Sequence, residues 1–427
     1  MVWMPHWPVL LGQGKLEPGT ERVKTLLSRI GNPEKHLPPV VHVAGTNGKG
    51  STITFLRAIL TAAGYRVHVY TSPHLFEFNE RVVLAGDKVS DTALYTALET
   101  CRIAADGMPV TMFEGTTAAA FQLFAEHEAD VLLIETGLGG RLDATNVIEK
   151  PAATVITPIS LDHKEYLGPD LGTIAAEKAG IARAGVPCII APQEQQAIEV
   201  LSVMAYKAGA SLFRYGYEWG VAEADEGLLF ISDERQVPFP LPALEGGHQL
   251  VNAATAVATL TRLAGFTVTD AAIRQGLQTA YWPARLQRIH KGLARLLPEG
   301  WELWLDGAHN EGGATVLSQW ALHHQDKALC LVFGTTRGKD IRSFLRYFND
   351  IAKIIYVVHV KSEPNSYTIE EMNDLAEEEK VVVVPAESIE DAILHSTRTI
   401  QMPTRVLVCG SLFLAKDVAE EGRLVLV

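Results

Sequence analysis

The stretch VVHVAGTNGKGS, residues 40–51, constrains the fold more than any other part of the sequence. It begins with an apolar, β-branched run typical of a buried strand and continues into a glycine-rich turn. Glycines let phosphate oxygens approach the backbone N–H groups, and the helix expected from about Ser51 adds the positive end of its dipole. Lys49 supplies a mobile charge for terminal phosphates. The stretch therefore predicts a strand–loop–helix unit that binds a nucleotide through Thr46, Asn47, Gly48, Lys49, Gly50 and Ser51.

This loop is a variant of the common pattern G-x-x-x-x-G-K-[ST]. The first glycine of that pattern is missing, and Gly50 stands between Lys49 and the hydroxyl residue Ser51. The alternative is a chance glycine turn before a helix. The order of strand, glycines, lysine and helix favours the phosphate loop.

Short β-rich runs alternate with longer amphipathic segments along the chain, which is typical of parallel-sheet α/β domains. The predicted strands of the first series are Val40–Ala44, Val67–Thr71, Val131–Glu135, Thr154–Ile159 and Cys188–Ala191. The predicted helices between them include Ser51–Ala63, Thr116–Glu128 and Thr173–Arg183. From Ser211 to Leu241, Gly and Pro separate short alternating runs, which predicts a small antiparallel patch.

A chain of 427 residues exceeds one ordinary core, so two domains are expected. A proline within Tyr281–Arg285 precedes a second α/β series. Its predicted strands lie near Glu302–Leu305, Ala328–Phe333, Ile354–His359, Val381–Val384 and Val406–Cys409. We therefore expect a P-loop-type, parallel-sheet ATPase domain over residues 1–284 and a smaller, Rossmann-like α/β domain over residues 285–427.

Composition narrows the class of protein. A hydrophobic content of 47% with 20% charged residues fits a globular enzyme, and a net charge of −13 argues against nucleic acid or an anionic membrane as partner. The four cysteines are scattered without a C-x-x-C pair, which is typical of reduced thiols in a cytosolic protein. No stretch approaches a transmembrane length, and we expect a cytoplasmic location.

Two side chains after predicted strands are candidate metal ligands. Glu135 closes the apolar strand VLLIE, and a carboxylate at that edge, beside a phosphate loop, is where a Mg²⁺ ligand is expected. The alternative is a capping or loop carboxylate. His163 follows another strand, and on its own it is as readily explained as a hydrogen-bonded loop histidine.

The loop variant GTNGKGS resembles that of the folylpolyglutamate/dihydrofolate synthase family, whereas the related Mur peptidoglycan ligases usually carry threonine or serine directly after the lysine. Further motifs follow in the family's order. They are TSPHLFEFNERV (71–82), ETGLGGRLDATNV (135–147), ITPISLDHKEYLG (156–168), EKAGI (177–181), HQLVNAA (248–254) and LDGAHN (305–310). The resemblance extends from about residue 19 to residue 414.

The resemblance implies a ligase that consumes ATP and joins L-glutamate to a folate-type carboxylate. ATP phosphorylates the carboxylate, and the glutamate amine attacks the acyl phosphate. The acceptor is dihydropteroate in dihydrofolate synthases, or the γ-carboxylate of folates such as tetrahydrofolate in folylpolyglutamate synthases. The resemblance also implies a Mg²⁺ cofactor held by Ser72, Glu135 and His163, and a monomer that serves one-carbon metabolism.

The resemblance assigns further roles. Lys178 matches a lysine that is carbamylated in several members. Without the resemblance, it would be interpreted as a surface lysine paired with Glu177 on a helix. It joins Lys49 and His163 as a predicted catalytic residue. The predicted ATP-binding set adds Asn252, Arg285, Asp306 and His309. Taken alone, Asn252 is equally a polar residue on a core helix.

Two stretches resemble the family's pterin pocket: Thr111, Met112, Phe113 and Glu114, and Leu142, Asp143 and Ala144. The alternatives are a core aromatic for Phe113 and a turn or helix cap for Asp143. The second stretch matches residues that contact dihydropteroate in bifunctional bacterial enzymes. We therefore favour dihydrofolate synthase activity, together with folylpolyglutamate synthase activity.

Several residues depart from the family's pattern. Ala284 stands where glycine is common, Glu311–Gly312 follow the DGAHN motif, and the family's DKD reads Gly338–Lys339–Asp340. Glu17 lies in an altered N-terminal element to which a pterin contact is ascribed in the family.

Two other functions are compatible with parts of the pattern. A Mur-type ligase, which adds an amino acid to a UDP-sugar peptide, shares the fold and the acyl-phosphate chemistry. The loop variant, the TSPH motif and the lack of an obvious UDP-binding domain oppose it. A P-loop switch or motor ATPase would need a Walker B pattern with two acidic residues, which does not fit the later motifs.

Overall fold

The computed structural model describes residues 19–224 and 227–422, so Glu17 lies outside the described residues. Contacts divide the chain into two compact units. Within the described residues, the first comprises residues 19–159, Lys164–Ala243 and Gln249–Ala280; the second comprises Ser160–His163, Leu244–His248 and residues 281–422. The sequence pattern did not indicate the two short segments, and the functional division at residue 284 stays a prediction.

The strands of the first unit form one large and one small sheet. They are β1 (Val40–Ala44), β2 (Val67–Tyr70), β3 (Val82–Leu84), β4 (Asp87–Lys88), β5 (Val131–Glu135), β6 (Ala153–Ile156), β7 (Pro187–Ile190), β8 (Ser211–Arg214), β9 (Trp219–Ala224), β10 (Gly227–Ser232) and β11 (Gln236–Pro240). The large sheet has the order β4-β3-β2-β5-β1-β6-β7-β8, parallel from β2 to β8, with β3 and β4 antiparallel at one edge. The small sheet, β11-β10-β9, is antiparallel.

The first unit also contains helices, which precede, separate and follow its strands along the chain. They are α1 (Glu21–Arg29), α2 (Lys49–Ala62), α3 (Asp91–Ala105), α4 (Met112–Glu126), α5 (Lys164–Leu167), α6 (Leu171–Ala179), α7 (Gln195–Lys207), α8 (Gly247–Thr261) and α9 (Asp270–Thr279). β1 and β5 are buried along their whole length, as expected for central parallel strands, which read as continuous apolar runs. One core cluster joins Tyr70 of β2, Leu98 of α3 and Phe121 of α4.

The predicted parallel-sheet α/β class with an antiparallel patch is confirmed, with corrections at its edges. Residues 211–214 were predicted as part of the patch, but they form β8, which pairs with β7 in parallel and extends the large sheet. The patch therefore begins at Trp219. Three helices also begin earlier than predicted, α2 at Lys49, α4 at Met112 and α6 at Leu171, and α6 ends at Ala179 rather than at Arg183.

The second unit is a smaller α/β sheet, as predicted. Its strands are β12 (Gln287–Ile289), β13 (Glu302–Leu305), β14 (Ala328–Phe333), β15 (Ala352–Val357), β16 (Val384–Pro385) and β17 (Thr404–Cys409), in the order β12-β13-β17-β14-β15-β16. Its helices are α10 (Glu311–His323), α11 (Ile341–Arg346), α12 (Ile369–Glu378), α13 (Ile389–Thr399) and α14 (Phe413–Glu421). All pairs are parallel except β12–β13. The strand predicted at 381–384 begins only at Val384.

The register of the large sheet brings chemical groups to one edge. Val43 of β1 pairs with Glu135 of β5, so the phosphate loop and Glu135 leave the sheet side by side at its carboxyl edge. This edge is where ligands bind in open α/β sheets. All four cysteines are buried and free of disulfides. Within the described residues, every helix is too short or too polar to cross a membrane.

Candidate active site

The predicted phosphate loop joins β1 to α2. Gly48 is the N-cap of α2 with φ +85°, and a Cβ there would lie 2.3 Å from Asn252 Oδ1, so a larger residue does not fit. The N–H groups of Thr46 and Asn47 donate to the carbonyl of Pro158, at 3.0 and 3.1 Å. The first-turn N–H groups of α2 have no carbonyl partner within the helix, and they are what the loop presents to an anion.

Lys49, Glu135 and Ser72 meet at the carboxyl edge of the sheet. Lys49 Nζ lies 3.7 Å from Glu135 Oε1 and donates to the carbonyl of Thr46 at 3.1 Å. The backbone N–H of Ser72 donates to Glu135 Oε2 at 3.3 Å. Glu135 is therefore oriented by a backbone amide on one side and an ammonium on the other. It is not a solvated loop carboxylate.

Lys178 lies in the last turn of α6 and is only 4% exposed. Its Nζ donates to the carbonyl of Gly45 in the phosphate loop at 2.8 Å. Its neighbour Glu177 pairs instead with Arg141, at 2.7 Å. The alternative of a surface lysine paired with Glu177 does not hold in the structure, and the lysine side chain is directed at the phosphate loop.

Asn252 is buried on α8 and faces the same loop. Its Oδ1 is the atom that a Cβ on Gly48 would strike, and its Nδ2 donates to Gln249 Oε1 at 3.0 Å. Gln249 Nε2 in turn donates to Ser51 Oγ, at 3.4 Å. These contacts fix α8 against the start of α2, so Asn252 is more than a polar residue on a core helix.

A second glycine-rich loop, residues 136–146, follows β5 and is closed by Asp143. Asp143 Oδ2 accepts the N–H of Leu138 at 2.8 Å, and Oδ1 accepts the N–H and hydroxyl of Thr145 at 3.0 and 2.5 Å. Burial raises the pKa of Asp143, and these hydrogen bonds oppose the rise. The carboxylate thus braces a turn, flanked by half-buried Leu142 and buried Ala144.

His42 of β1 forms a hydrogen bond with this loop. Its Nε2 lies 2.8 Å from Thr145 Oγ1. Because the Thr145 hydroxyl donates to Asp143, it accepts from His42, which fixes the proton on Nε2. Burial, helped by the charge of Arg183, lowers the pKa of His42 to about 3. His42 is therefore a neutral donor.

The stretch 111–114 opens α4. Thr111 is its N-cap and forms a capping box with Glu114, at 2.8 and 3.2 Å, and Glu114 also pairs with Arg22 at 2.8 Å. The side chains of Thr111 and Glu114 therefore hold the helix start. Phe113 lies against the second glycine loop, because a Cβ on Gly137 would be 2.4 Å from its Cζ. Met112 packs against the core.

In the second unit, Asp306 follows β13 and accepts two backbone N–H groups, from Leu286 and Ala308, each at 2.7 Å. Burial raises the pKa of Asp306, and the nearby Arg285 opposes the rise. Arg285 Nη1 donates to the carbonyl of Ala284 at 3.1 Å and would lie 2.6 Å from a Cβ on Gly307. Asp306, Gly307 and Arg285 thus form one packed group at the edge of the second sheet.

Another carboxylate, Asp162, organises a cluster in the second unit. Lys339 Nζ donates to its Oδ1 at 2.8 Å, Asn310 Nδ2 donates to its Oδ2 at 3.0 Å, and His309 Nε2 lies 3.5 Å from Oδ2. Burial alone raises the pKa of Asp162, but the hydrogen bond from His309 and the positive charges around it outweigh burial and hold that pKa well below its usual range. The adjacent His163 is partly exposed, with φ +49°.

The predicted residues fall into two groups. Lys49, Ser72, Glu135, Lys178 and Asn252 converge in the first unit. Arg285, Asp306, His309 and His163 belong to the second. Within the described residues, no three His, Cys, Asp or Glu side chains cluster as a preformed metal cage.

Residues 43–260 match the family model of the Mur ligase middle domain, and residues 293–421 match that of the dihydrofolate synthetase C-terminal domain. The dihydrofolate synthase/folylpolyglutamate synthase of Bacillus subtilis (strain 168) is 37% identical over 359 residues, which cover 80% of this chain and 81% of the relative. The chain belongs to the dihydrofolate synthase/folylpolyglutamate synthase family.

Solved structures of this family match the fold of this protein over nearly the whole chain. Escherichia coli FolC in complex with DHPP and ADP has a TM-score of 0.86 and 33% identity, and the match covers 96% of this chain and 94% of that one. A bifunctional folylpolyglutamate synthase/dihydrofolate synthase with Mn, AMPPNP and L-glutamate bound has a TM-score of 0.86 and 32% identity, covering 99% and 100%.

Sequence reasoning missed several groups of this candidate site. Asp162 and Lys339 stand in motifs that the sequence singled out, but nothing in the sequence links residues 177 positions apart. His42 lies within the predicted strand Val40–Ala44, and nothing in the sequence indicates its hydrogen bond with Thr145. The capping box of Thr111 and Glu114, in contrast, carries the recognisable signal T-x-x-E before an apolar run.

Proposed function

We propose that this family member is an ATP-dependent ligase that joins L-glutamate to dihydropteroate and also extends reduced folates at their γ-carboxylate. The observation that carries the proposal is the convergence of Lys49, Glu135 and Lys178 on the glycine loop. A simple anion-binding loop needs the lysine and the helix start. The added carboxylate and second lysine suit transfer of a phosphoryl group.

The proposed reaction has two steps. A carboxylate oxygen of the pterin substrate attacks the γ-phosphorus of ATP, so that ADP leaves and an acyl phosphate forms. The glutamate nitrogen then attacks the acyl carbon; the amide bond forms, phosphate leaves and the nitrogen loses a proton. The protein positions the reactants and offsets their charge with Lys49 and the first-turn N–H groups of α2.

The residues present fit a bound Mg²⁺. Mg²⁺ prefers oxygen ligands and keeps several waters, so one or two protein carboxylates suffice when a nucleotide supplies phosphates. Glu135 and the hydroxyl of Ser72 would hold it in the first unit, and His163 is the third candidate. Bound there, Mg²⁺ would offset phosphate charge. The solved relative with Mn, AMPPNP and L-glutamate supports this part of the proposal.

The buried position of Lys178 supports its predicted carbamylation. An ammonium next to Mg²⁺ would be repelled, which favours the neutral amine that reacts with CO₂. The resulting carboxylate would offset the cation or accept hydrogen bonds from its water ligands. Lys178→Ala is expected to remove most activity, and acetate to restore part of it. A Lys178→Ala enzyme with full activity would contradict the assignment.

The proposed pterin site lies at the second glycine loop. Phe113 against Gly137 offers a flat apolar surface, and the loop held by Asp143 borders it. The solved E. coli relative contains DHPP, which supports a dihydropteroate-type substrate. The proposed nucleotide site also includes Asn252, Arg285, Asp306 and His309, and the C-terminal domain is proposed to bind glutamate.

The proposal makes the protein a monomer that acts on small molecules in the cytoplasm, without nucleic acid or membrane partners. The net charge of −13 supports this choice. The Mur-type alternative is not favoured, because the C-terminal match is to dihydrofolate synthetase and the full-length relatives are folate ligases.

The test is ADP release with dihydropteroate, tetrahydrofolate or a UDP-muramoyl peptide, each with and without L-glutamate. We expect glutamate-dependent release with the first two substrates and none with the peptide. Stimulation by tetrahydrofolate alone would remove the dihydrofolate synthase half of the proposal. Release that needs no acceptor, or that needs the UDP-peptide, would overturn it.

A further inference from the structure

Asp162 is a half-buried carboxylate on which several separate segments converge. Its side chain is 12% exposed. Besides Lys339, Asn310 and His309, it accepts the N–H of its own neighbour His163, at 2.9 Å from Oδ1. Each oxygen therefore has at least two donors within reach. So many partners around one carboxylate restrict its position, and the position of each partner, more than a single ion pair does.

The partners of Asp162 belong to two turns at the carboxyl edge of the second sheet. His309 and Asn310 end the turn that follows β13, and Asn310 also caps α10 by accepting the N–H of Gly313 at 2.9 Å. Lys339 ends the turn that follows β14, directly before Asp340, which caps α11 through the N–H of Ser343 at 3.1 Å. Asp162 thus joins the turns that precede α10 and α11.

These turns carry groups that are proposed to bind the nucleotide and the amino acid. Asp306 and Arg285 are packed in the turn after β13. The edge at which parallel strands end is the place where open α/β sheets bind ligands. The partners of Asp162 are polar side chains from turns rather than from strands. Asp162 is therefore not needed to complete a hydrophobic core.

We propose that Asp162 is a positioning residue, which holds Lys339 and His309 in place for the ligase reaction and ties both to His163. The assignment rests on the proposed function and adds to it a residue that touches no substrate. Asp162 acts through its partners: a neutral amide at this position keeps the shape of the side chain but loses the charge that holds Lys339. Lys339 and His309 are then no longer held by that charge at the edge where the reactants are proposed to bind.

The test uses Asp162→Asn, Lys339→Met and the double variant in the full chain. We expect kcat to fall about tenfold to a hundredfold in each single variant, the scale of a misplaced reacting group, with the KM for ATP changed less than about threefold. The kcat of the double variant is expected to lie no more than about threefold below that of the poorer single variant, because the two residues act as a unit. A loss of kcat in the double variant that equals the product of the two single losses would overturn the proposal.

Asp417→Asn is the matched control. Asp417 is a buried carboxylate of the second unit, and it accepts the N–H groups of Lys361 and Ser362 at 2.8 and 3.0 Å, so its partners differ from those of Asp162. Its variant is expected to lower the melting midpoint with kcat within about twofold of wild type. If Asp162→Asn behaves in the same way, Asp162 is only structural and the proposal fails.

A readout without substrates separates this proposal from the ligase assignment. Shifts of the denaturation midpoint in the same set of variants, with no nucleotide or metal added, are expected to be non-additive for Asp162 and Lys339. A wild-type enzyme without glutamate-dependent ADP release would overturn the proposed function. Additive midpoint shifts would overturn the positioning role even in an active enzyme.

Discussion

The two glycine-rich loops of the first unit follow neighbouring strands, β1 and β5, but they are built for different tasks. The loop at 45–48 leads directly into α2, whose first N–H groups have no partner within the helix. The loop at 136–146 is closed on itself by Asp143 and borders Phe113 at Gly137. The first presents backbone donors and a lysine, whereas in the second the carboxylate of Asp143 is bound to the loop's own backbone.

This difference explains why one loop can be interpreted from its residues and the other cannot. A lysine between glycines at a helix start has few structural uses, so its type and position indicate anion binding. An aspartate in a glycine-rich turn has a common structural use, and Asp143 does serve it. The hydrogen bonds of Asp143 within its own loop account for the residue without a pterin contact.

Lys49→Ala and Glu135→Ala are expected to produce the largest effect. Both should lower glutamate-dependent ADP release by about a thousandfold or more, because the charge that faces the transferred phosphoryl group or its cation is lost. The melting midpoint is expected to fall by several degrees as well, because the side chains are only 16% and 7% exposed and each variant leaves one charge without this partner. Lys24→Ala, which breaks an exposed pair with Glu21, is the control and should keep full activity.

Retained ligation in either variant would remove the distinction between the two loops. It would mean that the first loop, like the second, is mainly structural.

Asp143→Ala is expected to have the next largest effect. It leaves the N–H groups of Leu138 and Thr145 without their acceptor, which should lower the free energy of unfolding by about 1–3 kcal/mol. If Asp143 also contacts the pterin, kcat/KM for dihydropteroate falls more than kcat/KM for tetrahydrofolate. Thr145→Val is the control, since it removes one hydrogen bond from the carboxylate but keeps the carboxylate itself.

Equal losses with both substrates would show that Asp143 only braces the loop. A selective loss that Thr145→Val reproduces would mean that loop shape, rather than the carboxylate, determines the use of dihydropteroate.

Phe113→Leu tests the apolar face of the second loop. Loss of the flat ring should raise the KM for dihydropteroate about tenfold and leave the KM for ATP unchanged. Phe121→Leu, which alters a fully buried ring of the core on the same helix, should lower stability without changing either KM. Parallel behaviour of the two variants in initial-rate measurements would make Phe113 an ordinary core aromatic.

The smallest expected effect is a pH dependence that arises beneath the second loop. Folding lowers the pKa of His42 from 6.5 to about 3, so between these values the unfolded chain binds more protons than the native one. Stability from this source is complete above about pH 6.5 and is lost as the pH falls towards 3. His42→Gln keeps a donor for Thr145 without titrating, so it should lose less stability between about pH 7.5 and about pH 4.5.

The exposed His36 provides the comparison for this effect. His36→Gln should leave the pH dependence of the melting midpoint as in wild type. A His42→Gln profile that also matches wild type would mean that His42 does not stay neutral in the fold.

Particular residues show how far sequence alone predicts this molecule. Continuous apolar runs indicate that β1 and β5 are buried parallel strands, whose carboxyl ends lie at one edge of the sheet, so the meeting of Glu135 with the phosphate loop was predictable. The short run at 211–214 carries no signal for parallel or antiparallel pairing, and it was assigned to the wrong sheet. The partners of Asp162 and the donor role of His42 depend on contacts between distant segments, which residue type and spacing do not encode.

The most direct test of the account follows the oxygen atoms of the substrate carboxylate. Dihydropteroate labelled with ¹⁸O in its carboxylate is incubated with ATP, Mg²⁺ and L-glutamate, and the released phosphate is analysed by mass spectrometry. If ATP bound at the first loop phosphorylates the carboxylate, one ¹⁸O atom passes from substrate to phosphate at each turnover, and Lys49→Ala abolishes the transfer. Amide formation with unlabelled phosphate would contradict the acyl-phosphate reaction, and with it the role assigned to the first loop.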